Sequence, residues 1–397
     1  MRHFAHLDDE VRARIFRRPP EGVDLDGPRD RIALALGGTL YMPATRPDLL
    51  ADLRRCVAQG VTSVVWCLED AIEHAAVPEA ERAVVRALTR LDRDPLANAP
   101  LVFVRVRDEQ QISRLVAALG PAVRRLAGVS LPKADLERAE PMLAAVRDAS
   151  VDLERPLYAM PILESDRIAF NETRRDELPR LARLFDLYDE HVLCVRVGGT
   201  DLSGVFGLRR DRDTTIWDLA VVRDAVADIV NQFVRHGDRV VSGAVWEHVS
   251  GQRLFKPQLR NTPFEQQGAS TLRGRLVRDH VDGLLREVSL DRANGLLGKT
   301  VIHPTHAPIV NALLTVHRDE WDDACAVLER ATAGGVLPSA GGGMNEVGPH
   351  RRWAEGVVAR ADVYGVLAED AALVDLLAQG QEAVWRSLGV TAAEGVS

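Results

Sequence analysis

YAMPILES (158–165) and VLCVRVGGTDLSG (192–204) decide how this chain is read. Each is a short apolar run, rich in β-branched residues, that ends on a carboxylate: Glu164 in the first and Asp201 in the second. Such a run is the pattern of a strand buried on both faces, and a charge at its end marks the point where the strand leaves the core for a loop. Carboxylates held at the rim of a barrel or sheet stand where α/β folds place their chemistry. Two of them from neighbouring strands form an oxygen cage suited to a hard divalent cation, Mg²⁺ or Mn²⁺.

Similar runs recur on both sides of this pair. LGGTLYMPA (36–44), SVVWCLED (63–70), LVFVRVR (101–107), GVSLPKA (128–134), RVVSGAVW (239–246) and KTVIHP (299–304) bring the number of candidate strands to eight. Amphipathic stretches separate them, among them Arg46–Gln59, Glu79–Leu91, Glu109–Leu119, Asp135–Asp148 and Ile216–Arg235. Strands alternating with helices predict a parallel sheet, and a closed (β/α)₈ TIM barrel accommodates eight strands without an exposed edge. The alternative is an open, doubly wound sheet. Its fingerprint, G-x-G-x-x-G after the first strand, is not what GGTLYMPA offers.

Residues 1–30 are expected to form an N-terminal arm, 31–317 the barrel and 318–397 a C-terminal helical extension. The extension contains GGVLPSAGGGMNEVG (334–348), the most glycine-dense stretch of the chain, which reads equally well as a lid over the site or as a linker.

Composition removes several classes of function. With 397 residues, 46% hydrophobic and 27% charged, the chain is an ordinary globular protein, large enough for one barrel with appendages. A formal net charge of −8 and a pI near 5.8 supply no electrostatic footprint for nucleic acid or an anionic membrane. Cys56, Cys67, Cys194 and Cys325 are scattered, without the spacing of a disulfide framework or a zinc site. No stretch approaches the roughly eighteen apolar residues of a membrane helix. The start, MRHFAHLDDEVRARIF, lacks the apolar core of a signal peptide, so a cytoplasmic location is expected.

The strand ends carry an ordered series of charges: Glu69 and Asp70, Arg105 and Arg107, Lys133, Glu164, Asp201, then Lys299 and His303. Charges are costly to bury unless paired or bound to metal, so their recurrence at nearly every strand end points to a functional rim. Each member also has a structural reading. Lys133 would neutralise an acidic neighbour, His303 would cap the last strand, and Arg105 would salt-bridge Glu69 or Glu164.

Lesser signals surround these. Gly198-Gly199-Thr200 would let backbone amides approach a ligand, or would permit tight packing. Arg209, Arg210 and Arg212 read as a solvated charge run or as an anion site, and Trp246 as a core residue.

The series LYMPA, CLEDAI, FVRVR, LPKAD, ILES, GGTDLSGVFG and GKTVIHP resembles the HpcH/HpaI aldolase and citrate lyase β-subunit family, in order from Leu40 to Asn311. With RRDRDTTIWD (209–218), VSGAVWEH (241–248) and GGGMNEVGPHRRWA (341–354), it looks like a subgroup of carbon–carbon bond lyases associated with tellurium-resistance-type stress operons. The resemblance implies a TIM barrel with a Mg²⁺-dependent lyase site. It places the family's metal ligands on Glu164 and Asp201, its carboxylate-gripping arginine on Arg105 and its acidic turn on Glu69 and Asp70.

Three departures stand out: Cys67 where the family has Asp, Arg107 where it has Asn, and His306 where it has Gln. The Arg107 change adds positive charge beside the expected site and bears on the substrate rather than on the metal. Relatives of this kind are commonly homo-oligomers.

The chemistry agrees. Breaking a C–C bond beside a carbonyl passes through an enolate whose oxyanion needs a fixed positive partner, which a divalent cation and Arg105 would supply. The catalytic expectation is therefore Arg105 with Glu69 and Asp70. Arg105, Lys133, Gly199, Thr200 and His303 are expected at the substrate, and Glu164 and Asp201 at the metal. Asp70, Glu69, His303 or water on the cation would take the proton from a β-hydroxyl. The expected substrate is a small oxo- or hydroxy-acid carboxylate. Acyl-CoA thioesterase or Claisen-type chemistry on a CoA thioester, and a non-catalytic scaffold in a stress complex, remain as alternatives.

Overall fold

The computed structural model describes residues 1–235, 239–249, 281–332, 334–369 and 371–387. Eight parallel strands close into a barrel in chain order. They are β1 (Gly38–Pro43), β2 (Ser63–Cys67), β3 (Leu101–Arg105), β4 (Gly128–Leu131), β5 (Tyr158–Leu163), β6 (Cys194–Val197), β7 (Val240–Trp246) and β8 (Lys299–Val301). Closure is made by β1 against β8, with Thr39 opposite Thr300 and Leu40 opposite Val301. The strands are apolar because helices cover the outside while side chains fill the inside; every residue of β2 and of β5 is buried. Among the described residues, no helix is long and apolar enough to cross a membrane.

The covering helices are α1 (Leu49–Ala58), α2 (Val77–Arg93), α3 (Glu109–Leu119), α4 (Leu136–Ser150), α5 (Asn171–Leu187), α6 (Ala220–Phe233), α7 (Asp282–Ala293) and α8 (His306–Leu313). Three of them start on an aspartate whose carboxylate accepts otherwise unpaired amides. Asp48 accepts from Leu50 and Ala51, Asp108 from Gln111, and Asp135 from Arg138.

The barrel interior departs from the branched apolar filling usual in this architecture. Ser63 Oγ donates to the Leu36 carbonyl at 2.6 Å and sits 3.0 Å from Thr39 Oγ1. Arg196 of β6 reaches Thr39 on β1 and Thr300 on β8, neither of them a neighbouring strand, so its side chain crosses the interior.

The two chain ends meet. Phe16–Arg18 pairs antiparallel with Val366–Leu367, and Phe4, Phe16, Tyr364 and Leu376 belong to the same apolar core as the barrel. The extension comprises α9 (Arg318–Glu329), α10 (Val347–Tyr364) and α11 (Ala371–Ser387). The Tyr364 hydroxyl donates to the Leu34 carbonyl at 2.6 Å and His3 Nε2 lies 3.0 Å from the Ala35 carbonyl. These contacts fix α10 and the arm where β1 begins.

The glycine-rich segment is neither a lid over this chain's own cavity nor an open connection. Val336–Pro338 and Met344–Glu346 form a hairpin that packs on α9 and α10, with Ser339 and the Ala340 amide bonded to Asp323. Its glycines serve the turn: Gly342 has φ +84°.

Candidate active site

A cavity of about 870 Å³ opens at the ends where the strands run out. It takes Tyr41 and Met42 from β1, Cys67 and Asp70 from β2 and its loop, and Arg105 from β3. Glu164 after β5, Arg196 of β6, the Gly198–Asp201 segment and Thr300 of β8 complete the polar wall. The two carboxylates read from the strand ends therefore face one space.

Glu164 is 4% exposed. Its Oε1 accepts from Arg105 at 3.1 Å and from the Lys133 amide at 3.0 Å. Lys133 presents that amide from a left-handed conformation, φ +49°, a strained state for a lysine that sits where the backbone must meet the carboxylate. Oε2 has no partner among the described residues. Burial, and then the negative charge of nearby Asp201, push the Glu164 pKa up to about 7, against the pull of Arg105.

Asp201 stands in the first turn of the short helix Gly199–Val205, half-buried, with no hydrogen bond or ion pair among the described residues. Gly198 is required between the two. A Cβ there would lie 2.9 Å from Glu164 Cδ and closer still to its Oε2 and Cβ. Gly199 serves packing, since a Cβ would come within 2.7 Å of Ala244 Cβ. Thr200, on the cavity wall, donates to Glu247.

Arg105 does not present a free fork. Its Nη2 meets Glu69 at 2.6 Å, Glu164 at 3.1 Å and Asp70 at 3.3 Å, while Nε is buried without a partner among the described residues. Burial works against the guanidinium charge, but the carboxylates of Glu164 and Glu69 more than offset it, and its pKa rises. Lys133 Nζ closes the cluster at 3.2 Å from Asp70 and 3.4 Å from Glu69. The salt-bridge readings of Arg105 and Lys133 are thus realised. Asp70 lines the cavity and is the more exposed of the two acids; despite burial, its bond with Glu69 and the charges of Arg105 and Lys133 hold its pKa down.

Other expected members lie elsewhere. His303 does not line the cavity: its Nδ1 is 2.7 Å from Thr305 Oγ1, tying the loop onto α8, and burial lowers its pKa. Lys299 opens β8 instead of ending it and is sealed outside the barrel against α7, 2.7 Å from both Glu287 and Asp291. Arg107 turns away from the cavity. It donates to the Leu68 carbonyl at 2.6 Å and the Glu69 carbonyl at 2.9 Å, and so pins the loop that carries Glu69 and Asp70. His306 is buried, with its pKa lowered to about 3 by desolvation. Arg210 is buried in an ion pair with Glu287 and is not a solvated charge, and Trp246 is a core residue. Cys67, the last residue of β2, stands on the cavity wall; burial raises its pKa.

Sequence reasoning passed over Arg196, Tyr41 and Thr300. The available signal was a lone arginine within the apolar run VLCVRV (192–197).

A family model described as the C–C bond lyase of the TIM-barrel fold matches residues 30–366. The chain belongs to that family. The protein is thus a carbon–carbon bond lyase. Its fold is shared with a citrate lyase from Burkholderia xenovorans, 16% identical over 86% of this chain and 96% of that one, with a TM-score of 0.57. CitE from Mycobacterium tuberculosis, in complex with magnesium, acetoacetate and coenzyme A, is 19% identical over 83% of this chain and 99% of its own, with a TM-score of 0.49. The citrate lyase β subunit of the same organism, complexed with oxaloacetate and magnesium, is 20% identical over 70% and 96%, with a TM-score of 0.42. No curated protein matches the lyase.

Proposed function

We propose that the lyase uses Mg²⁺, or Mn²⁺ in its place, to break or form a carbon–carbon bond in a small oxo- or hydroxy-acid. The observation that carries this reading is the pair Glu164 and Asp201 on one cavity: Asp201 has no ion pair among the described residues, and Glu164, whose Oε1 is paired with Arg105, keeps Oε2 without a partner there. The donor set fits. Both ligands are hard oxygens, and two carboxylates occupy only part of a cation's coordination sphere. Most of an octahedron is therefore left to water and substrate, as Mg²⁺ prefers.

Bound there, the cation supplies positive charge for the oxyanion that develops when the bond beside a carbonyl breaks. Arg105 adds a fixed guanidinium to the same space, held by Glu69, which is itself paired with Lys133. Asp70 is the acid on the cavity wall able to order water or receive a proton. Gly199 and Thr200 shape the wall next to Asp201, and Met42, Ile162, Val205 and Ile302 give the cavity an apolar part to its lining.

Titration calorimetry tests the reading. Mg²⁺ is expected to bind one site in the wild type and none in Glu164→Ala or Asp201→Ala. A wild type without a Mg²⁺ site, or variants that keep it, would sink the proposal.

The raised pKa of Glu164 adds a second expectation. Because the folded carboxyl holds its proton more tightly than the unfolded one, between about pH 4.5 and 7 the cation-free fold binds more protons than the unfolded chain. The stability this group contributes then declines as pH rises through that window. Saturating Mg²⁺ competes with the proton and is expected to reverse the trend. Melting temperatures at pH 5.5 and pH 8, with and without Mg²⁺ and with Glu164→Gln as control, check both signs.

A further inference from the structure

Six cationic side chains are buried among the described residues, and five of them rest on carboxylates. Arg174 meets Asp228 at 2.7 Å, Arg210 meets Glu287 at 2.7 Å, Arg239 meets Asp186 at 2.9 Å and Arg360 meets Glu320 at 2.5 Å. Lys299 holds Glu287 and Asp291. Arg196 is the sixth. It is 1% exposed, yet no carboxylate among the described residues lies within ion-pair distance of it.

What surrounds Arg196 orients it without neutralising it. Nη2 donates to Thr300 Oγ1 at 2.7 Å, Nη1 lies 3.4 Å from Thr39 Oγ1, and Nε is buried without a partner among the described residues. The Tyr41 ring covers the guanidinium at 5.5 Å, itself held by its hydroxyl against Ser130 Oγ at 3.1 Å. Hydroxyl dipoles and an aromatic face stabilise a buried cation far less than a counter-ion does. Arg196, Tyr41 and Thr300 all line the cavity that Glu164 and Asp201 line. Arg196 stands five residues before Asp201 on the same segment, within the strand, so it lies deeper in the barrel than the carboxylates at the rim.

Resting on the lyase reading above, we infer that Arg196 is the receptor for a second carboxylate of the substrate, so that the lyase acts on a small dicarboxylic oxo- or hydroxy-acid. One end of such an acid lies at Glu164 and Asp201, and the other descends to the Arg196 guanidinium. A planar guanidinium offers a carboxylate two parallel donors, and one unpaired positive charge balances one carboxylate. A phosphate dianion would call for more donors than this single side chain provides. Arg105, already set against Glu69, Asp70 and Glu164, has little charge left for that role. The inference makes Arg196 a specificity residue: it discriminates dicarboxylates from monocarboxylates of the same head group.

Malate and lactate, both stable 2-hydroxy acids, differ in the second carboxylate and serve as probes. Titrated into the full-length, Mg²⁺-loaded wild type, malate is expected to bind at least about tenfold tighter than lactate, a ratio of the size set by one charge-assisted pair. Arg196→Gln is expected to bring malate down to the lactate affinity while leaving lactate and Mg²⁺ binding unchanged. Thr300→Val, which removes the hydroxyl that steers the guanidinium but keeps its charge, is expected to reduce the ratio severalfold, and it reads the inference if Arg196→Gln fails to fold. A wild type that binds neither acid, or a ratio that survives both substitutions, overturns the assignment. If the ratio collapses in Arg196→Gln but neither acid's binding depends on Mg²⁺, the carboxylate receptor stands and the metal-dependent reading falls.

Discussion

Gly198→Ala is expected to lower the affinity of the lyase for Mg²⁺ on the order of 100-fold while leaving the barrel folded, a loss of the size seen when the support of a metal ligand is removed. The reason is steric and local. Gly198 passes so close to Glu164 that a methyl group would overlap Oε2 and Cβ, and Cβ is no flexible tip that can swing aside. To admit the methyl, either the Glu164 carboxylate must give up Arg105 and the Lys133 amide, or the start of the Gly199–Val205 helix must lift Asp201 away. Each outcome separates the two carboxylates that the proposed site brings together.

A control is built into the same segment. Gly204 also lines the cavity, but nothing lies within 4 Å of a Cβ built there, so Gly204→Ala is expected to bind Mg²⁺ as the wild type does. Calorimetry on both variants, with circular dichroism to verify the fold, decides the matter. Equal Mg²⁺ affinities for the two would show that Glu164 is not the ligand.

The fold was legible because its signals are local. Eight apolar runs and the intervening amphipathic stretches need only the period of the side-chain pattern, and all eight runs are barrel strands. Their ends were less so. β2, β3 and β5 stop at Cys67, Arg105 and Leu163, short of the charges that follow, because those charges leave the hydrogen-bonded ladder for the loops. That is also why the rim was legible, since Glu69, Asp70, Glu164 and Asp201 mark the transition from apolar to charged.

Arg107 shows the limit of the same logic. Once β3 ends at Arg105, alternation no longer governs the side chain two residues on, and it turns to the β2 loop. Arg196 was hidden for the opposite reason. A strand apolar on both faces has no alternation to reveal which side is inward, so a mid-strand arginine gives no hint that it crosses a barrel. The glycine-rich 334–348 segment misled because glycine density reports turns, and a hairpin turn, a lid and a linker all need them.

Lys299→Met is expected to destabilise the lyase by about 3–5 kcal/mol, the usual cost of stripping one partner from a buried ion pair. Lys299 is wholly enclosed between β8 and α7, and its ammonium is the shared counter-ion of Glu287 and Asp291, one helical turn apart. Without it, Glu287 retains the Arg210 guanidinium at 2.7 Å and the Ile216 amide at 2.7 Å, but among the described residues Asp291 keeps only the Trp217 indole N–H at 2.8 Å. Burial, and then the neighbouring Glu287, already raise the pKa of Asp291 against the pull of Lys299, so the variant is expected to protonate that carboxyl.

Two consequences follow from that proton. A folded state that holds it more tightly than the unfolded chain gains stability as pH falls, so the deficit relative to wild type should be smaller at pH 5 than at pH 8. Lys299→Met combined with Asp291→Asn should recover part of the loss by removing the stranded charge. Chemical denaturation at both pH values measures this, with a melting temperature lower by on the order of 10 °C at pH 8. A deficit below about 1 kcal/mol, comparable to an exposed pair, would mean that water reaches the network and that α7 is not sealed against β8.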